Sequence, residues 1–178
     1  MRLCEADWFR GSYFKVYKIL SMENMLPHPC MINILEQDRL PGKEDDIVAA
    51  CWKEDMLVWF KFNPPKLIHL AHELVHLMPK DDERLEEVYA YVLSHLTVML
   101  VERNIMPPAN PIRLFNRSFD YVEETVRKMY DVDVDKMINP LIEAKYGKTI
   151  AILVELVKKA YYDERAFKVL LMLLFGVR

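Results

Sequence analysis

The stretch His72-Glu73-Leu74-Val75-His76 constrains this chain more than any other. It sits in an apolar run bounded by Pro64-Pro65 and Pro79, and the pattern predicts a helix over residues 66–78. Asn63 is a candidate N-cap, and Pro64 and Pro65 suit a first turn, where a missing N–H costs nothing. Residues four apart on a helix stack on one face, so the two imidazoles can converge on one metal ion. Glu73 lies about 100° further round, where its carboxylate can reach a water on that metal without being a ligand. Two neutral nitrogen ligands, an open position for water and a nearby base are what a zinc hydrolase requires. An apolar helix carrying two histidines needs a reason for them, and a metal is the simplest.

Catalytic zinc usually takes a third protein ligand. Lys80-Asp81-Asp82 is a short polar turn, and residues 83–103 follow with Leu85, Val88, Tyr89, Val92, Leu93, Leu96, Met99 and Leu100 at helical spacing. So short a turn makes the two helices antiparallel neighbours. Counted outward from it, Glu87 lies level with His72 and Glu83 level with His76, while Glu86 points about 100° away from Glu87. Glu87 is the first choice, because Ala90 one turn on lets the helices approach closely. Glu83 is the second, since first-turn acids often only complement the helix dipole. Glu86 reads as a solvated surface acid.

With these residues in hand, His72-Glu73-x-x-His76 followed by Glu87-x-x-Ala90 resembles the gluzincin metallopeptidases, among them the minigluzincins and the phage-immunity regulator peptidases. The phrase Leu70-Ala71-His72-Glu73-Leu74-Val75-His76 is especially similar to the last group. The resemblance covers roughly residues 56–103, and ten residues separate His76 from Glu87, fewer than in most gluzincins. It implies a Zn2+-dependent peptidase acting on a peptide or protein, with His72, His76 and Glu87 as metal ligands and Glu73 as general base.

The rest of the chain is expected to be α+β. Residues 30–35, 47–52 and 56–62 read as three strands, rich in Val, Ile, Trp and Phe, forming a small antiparallel meander that feeds the His-Glu helix. Between the first two lies a charged turn, 38–46, with Pro41-Gly42. Upstream, residues 7–20 carry an aromatic stripe and read as a helix or an extended arm packing on the core, and His28 as an exposed loop histidine. Residues 104–111 form a proline-rich break. Helical segments follow at 118–131, 133–146 (interrupted at Pro140), 148–162 and 163–175. The expected organisation is a zincin-like unit over 1–106 and a helical subdomain over 107–178.

With 52% hydrophobic residues the chain can bury a sizeable core. A net charge of −3 and no basic stripe argue against nucleic acid as a partner, and no apolar run is long enough for a membrane span. Cys4, Cys30 and Cys51 are odd in number and form no C-x-x-C pair, so they read as reduced thiols in a cytoplasmic protein. Tyr91 and His95 follow Glu87 by four and eight residues and are candidate electrophiles for the oxyanion. His69, one turn before His72, reads as exposed. The competing reading is a non-catalytic zinc- or peptide-binding helical protein, which a closed site joined by His69 or Glu83 would favour.

Overall fold

A computed structural model of the chain describes residues 1–38, 40 and 46–176. The elements in order are α1 (Ser12–Leu20), β1 (Asn33–Leu35), β2 (Ala49–Trp52), β3 (Leu57–Phe60), α2 (Leu67–Leu77) and α3 (Glu86–Glu102). Then come α4 (Pro111–Ser118), α5 (Val122–Tyr130), α6 (Val134–Met137), α7 (Pro140–Tyr146), α8 (Lys148–Ala160) and α9 (Glu164–Phe175). The class is α+β, as expected. No helix among the described residues is long and apolar enough to cross a membrane.

The helix α3 is the axis of the molecule. Twelve of its residues, from Val88 to Val101, are buried and cover most of its circumference, leaving one narrow stripe with Tyr91, His95 and Glu102. A helix apolar on most sides must be covered on most sides. Here α1, α2, α4 and α8 pack against it. One continuous cluster of buried side chains runs from Leu3 to Leu174, so the helices after residue 107 share their core with the segments before it.

The sheet corrects the expected meander. Its order is β1-β3-β2, with β1 parallel to β3 and β2 antiparallel to β3. The physical reason lies in β3, whose Leu57-Val58-Trp59-Phe60 is apolar without alternation, the mark of a strand covered on both faces. It takes the centre. A tight turn over residues 53–56, with Met56 at φ 48°, makes β2 its hairpin partner and leaves β1 the other edge. The first strand is also shorter than read, because Pro29–Met31 forms a 3-10 turn. The charged turn at 38–46 falls largely outside the described residues.

Three further expectations are corrected. Asn63 does not cap α2; the N-cap position is Lys66, without a side-chain cap. The residue before a proline is disfavoured in the helical region, and here Asn63 and Pro64 lie in a bend, so the helix starts after both prolines. The segment 7–20 is helical only from Ser12, after Gly11 turns the chain at φ 57°. Within the proline-rich break, Asn110 and Pro111 open α4: Asn110 Oδ1 accepts from Ile112 N at 3.0 Å, and its amide donates to Leu20 O and Met22 O. The prolines that read as a break thus include a helix start.

Cys4 and Cys30 are joined in a disulfide, with Cα atoms 5.0 Å apart. Leu3 N donates to Ile32 O at 2.8 Å, and Arg2 bridges Asn33, so the N-terminal segment runs beside the start of β1 and brings the sulfurs together. This overturns the reading of all three cysteines as reduced thiols, on which the cytoplasmic expectation leaned. Only Cys51 is free.

Candidate metal centre

Helix α2 buries Leu70, Ala71, Leu74, Val75 and Leu77 and turns its remaining face to a cavity of about 450 Å³. His72 and His76 stand one turn apart on that face, their Nε2 atoms 3.1 Å from each other. Glu87, in the first turn of α3, reaches in from the facing helix. Its Oε2 is 3.8 Å from His72 Nε2 and its Oε1 is 3.6 Å from His76 Nε2. Ala90 is fully buried at the helix contact, the small residue that permits the approach. Ligand atoms of His72, His76 and Glu87 all lie within 4.8 Å of one another.

The donor set fits a zinc ion. Nitrogens at roughly 2.0–2.1 Å from a tetrahedral metal lie roughly 3.3 Å apart, and a carboxylate oxygen completes a triangle of similar edges. Burial, then the neighbouring His76, His95 and His69, lower the His72 pKa to about 4, so its ring is neutral near pH 7 and its lone pair is free. Three protein donors leave a fourth position open.

Glu73 shares the cavity and is only 5% exposed. Its carboxylate has no hydrogen-bond or ion-pair partner among the described residues. Burial, reinforced by the Glu87 charge, raises its pKa to about 8. A largely buried carboxylate whose one opening is the cavity is costly to charge, and it persists where the site has a use for it.

Glu86 is not the solvated acid its position had implied. Its Oε1 lies 3.1 Å from His76 Nδ1, the nitrogen facing away from the cluster. A 3-10 turn over Glu83–Leu85 precedes α3, which starts at Glu86 with its side chain against His76. Burial pushes its carboxyl upward, but the His76 hydrogen bond and the Lys80 charge outweigh this and hold it low. Glu83 is exposed and outside the cluster.

The far wall is β2, which contributes Ala49, Ala50, Cys51 and the adjoining Lys53 to the cavity lining. Sequence reasoning missed these residues: only strand order shows which edge faces the histidines. Burial, then the Glu73 charge, push the Cys51 thiol up to about 12, leaving it neutral.

Tyr91 and His95 do not line this cavity. Tyr91 borders a neighbouring apolar groove of about 240 Å³ with Glu87, Val88, Ile142, Tyr146, Val154 and Lys158. His95 Nδ1 is hydrogen-bonded to the Tyr161 hydroxyl, and its ring stacks edgewise on Tyr91. His69 is half-buried, and burial lowers its pKa, but it too lies outside the cavity lining. His28 accepts from Cys30 N at 3.3 Å and caps the 3-10 turn at Pro29–Met31.

Comparison with models of known families, with curated proteins and with solved structures gives no match to this chain.

Proposed function

We propose that this protein is a zinc-dependent peptidase of gluzincin-like chemistry. One observation carries the reading: two histidine nitrogens and the Glu87 carboxylate converge on one point, and an unpartnered buried carboxylate, Glu73, opens on the same cavity. Bound zinc would polarise a water and the substrate carbonyl and bring the water's pKa toward ~7. Glu73 then takes the proton released as the water attacks and delivers it to the leaving amine. Its burial suits it to hold a proton between those two transfers. Lys53 is the cationic side chain that both lines the cavity and stays exposed, and it is better placed than Tyr91 or His95 to meet charge on the carbonyl oxygen.

Substrate alignment falls to β2. It pairs with β3 on one side, and among the described strands nothing pairs with its other edge. An extended peptide added there would run across the histidines, held by main-chain hydrogen bonds. The small Ala49 and Ala50 leave it room. The open fourth position favours this reading over a closed binding site, because neither His69 nor Glu83 lines the cavity.

The test is metal content by elemental mass spectrometry with hydrolysis of a peptide library. Wild type is expected to hold about one zinc per chain. Glu73→Gln should keep the zinc and lose hydrolysis, His72→Ala and Glu87→Ala should lose the zinc, and Glu83→Ala should keep it. Zinc uptake by none of these proteins, or full hydrolysis by Glu73→Gln, would sink the reading.

A further inference from the structure

The Lys80 side chain is 1% exposed. An ammonium has three N–H donors. Here they meet His76 O at 3.2 Å, Met78 O at 2.9 Å and Glu86 Oε1 at 3.5 Å. The first two acceptors are carbonyls at the C-terminal end of α2, of the kind a helix leaves unpaired, and a cation there meets the negative end of the helix dipole. The third is the same carboxylate oxygen that bonds His76 Nδ1. Withdrawing an ammonium from water is costly unless it is fully paired, and an apolar side chain would seal this corner more cheaply. The charge therefore has a use.

We infer that Lys80 is a positioning residue for the metal centre. It holds Glu86 Oε1 against the end of α2, and Glu86 in turn holds the His76 ring by its Nδ1–H. That bond fixes the tautomer, so the Nε2 lone pair points toward His72 and Glu87. One ammonium thus ties the end of the helix that carries the two histidines to the start of the helix that carries the third ligand. Residues 78–85 join these helices, and without the tie the relative rotation of the helices is free to change the distance between donors. The inference rests on the metal-site reading above.

The experiment measures zinc affinity, by competition with a chromophoric chelator, for wild type, Lys80→Met, Glu86→Gln and the double variant. Circular dichroism checks that each is folded. Partners of metal-bound histidines typically change affinity ~10–100-fold. Each single variant is expected to weaken zinc by about that factor. The double variant should be no weaker than the weaker single, because both act through His76. The visible band of the cobalt-loaded protein should shift in both singles, since the ligand geometry changes. Phe115→Leu, in the core on α4, serves as a control: it should lower the melting temperature and leave zinc affinity alone. If Lys80→Met does not fold, Lys80→Gln, which keeps amide donors for the carbonyls but loses the charge, takes its place with the same expected loss. Wild type that binds zinc while the Lys80 and Glu86 variants bind it equally well overturns this inference alone, as does an equal loss in Phe115→Leu. Wild type that takes up no zinc overturns the metal-site reading and this inference with it.

Discussion

Glu73 is largely buried and a second carboxylate, Glu87, is close, and its pKa of about 8 in place of the ordinary 4.5 follows. A carboxyl whose folded pKa is raised favours the folded state when protonated. That contribution is complete below pH 4.5 and is lost as pH rises through 8. His72 has the opposite sign: its folded pKa is depressed, so its contribution is present above pH 6.5 and lost as pH falls through about 4. Glu73→Gln removes the first and keeps the second. In the metal-free protein the variant should therefore gain on wild type steadily from pH 5 to 8, then level off, with a total gain on the order of 5 kcal/mol. Urea unfolding in the presence of a chelator, at intervals across that range, reads this directly. Parallel curves would mean that the Glu73 carboxylate is solvated. At this scale His72, Glu73, His76 and Glu87 were legible in the sequence, because four-residue spacing and the length of the interhelical turn determine who faces whom. Glu86 was not. A 3-10 turn at Glu83–Leu85 sits between the polar turn and α3, and no periodicity in the sequence says whether Glu86 then meets water or His76.

Among elements, β2 lies nearest the proposed chemistry and was the least readable. Its existence and its antiparallel pairing with β3 showed in the sequence, but its place at the edge did not, since the period of two says which face a residue takes and nothing about which strand takes the centre. With the register known, the free edge can be assigned residue by residue. Lys61 N donates to Val48 O at 2.9 Å, and Ala49 pairs with Phe60. Alternation along an antiparallel pair then turns Ala50 and Trp52 toward β3, leaving the Ala49 and Cys51 main chain facing outward. Proline at position 49 removes an outward N–H and spares the ladder. Ala49→Pro is expected to fold and bind zinc like wild type while raising KM for peptides about 3–10-fold, the worth of one hydrogen bond. Ala50→Pro, which strikes the ladder, should instead lower the melting temperature. Steady-state kinetics on both variants separates the two effects, and an unchanged KM in Ala49→Pro would remove β2 from substrate binding.

On the scale of the whole molecule, the hydrophobic core ignores the boundary that the proline-rich break suggests near residue 106, while the covalent tie lies wholly before it. The Cys4–Cys30 disulfide closes a 26-residue separation that holds α1. Restricting the unfolded chain over that span is worth about 3 kcal/mol, so Cys4→Ser with Cys30→Ser should unfold at correspondingly lower denaturant. An unchanged midpoint would mean that the unfolded chain gains nothing from the link. Neither the pairing nor the shared core was legible: cysteine spacing gives no partner, and a run of prolines looks like a linker until Asn110 is seen bonded to Leu20 and Met22 across the fold. The core bears most directly on autonomy. Helix α3 is buried on most sides, and α4 and α8 supply part of that cover. A chain ending at residue 106 would expose the sides of α3 that α4 and α8 shield, Tyr89 against Phe115 among them, at roughly 25 cal/mol for each Å² laid bare. For a domain whose whole stability is of the order of 5–15 kcal/mol, losing two covering helices exceeds what the remainder can supply. The 1–106 fragment is therefore expected to be aggregated or without a cooperative transition, and to bind zinc weakly, because the α2–α3 pair it needs is no longer held. Thermal unfolding and zinc titration of that fragment beside the full chain measure this. A sharp transition with full zinc affinity would show that the first 106 residues fold by themselves, and would return the C-terminal helices to the role of an added subdomain.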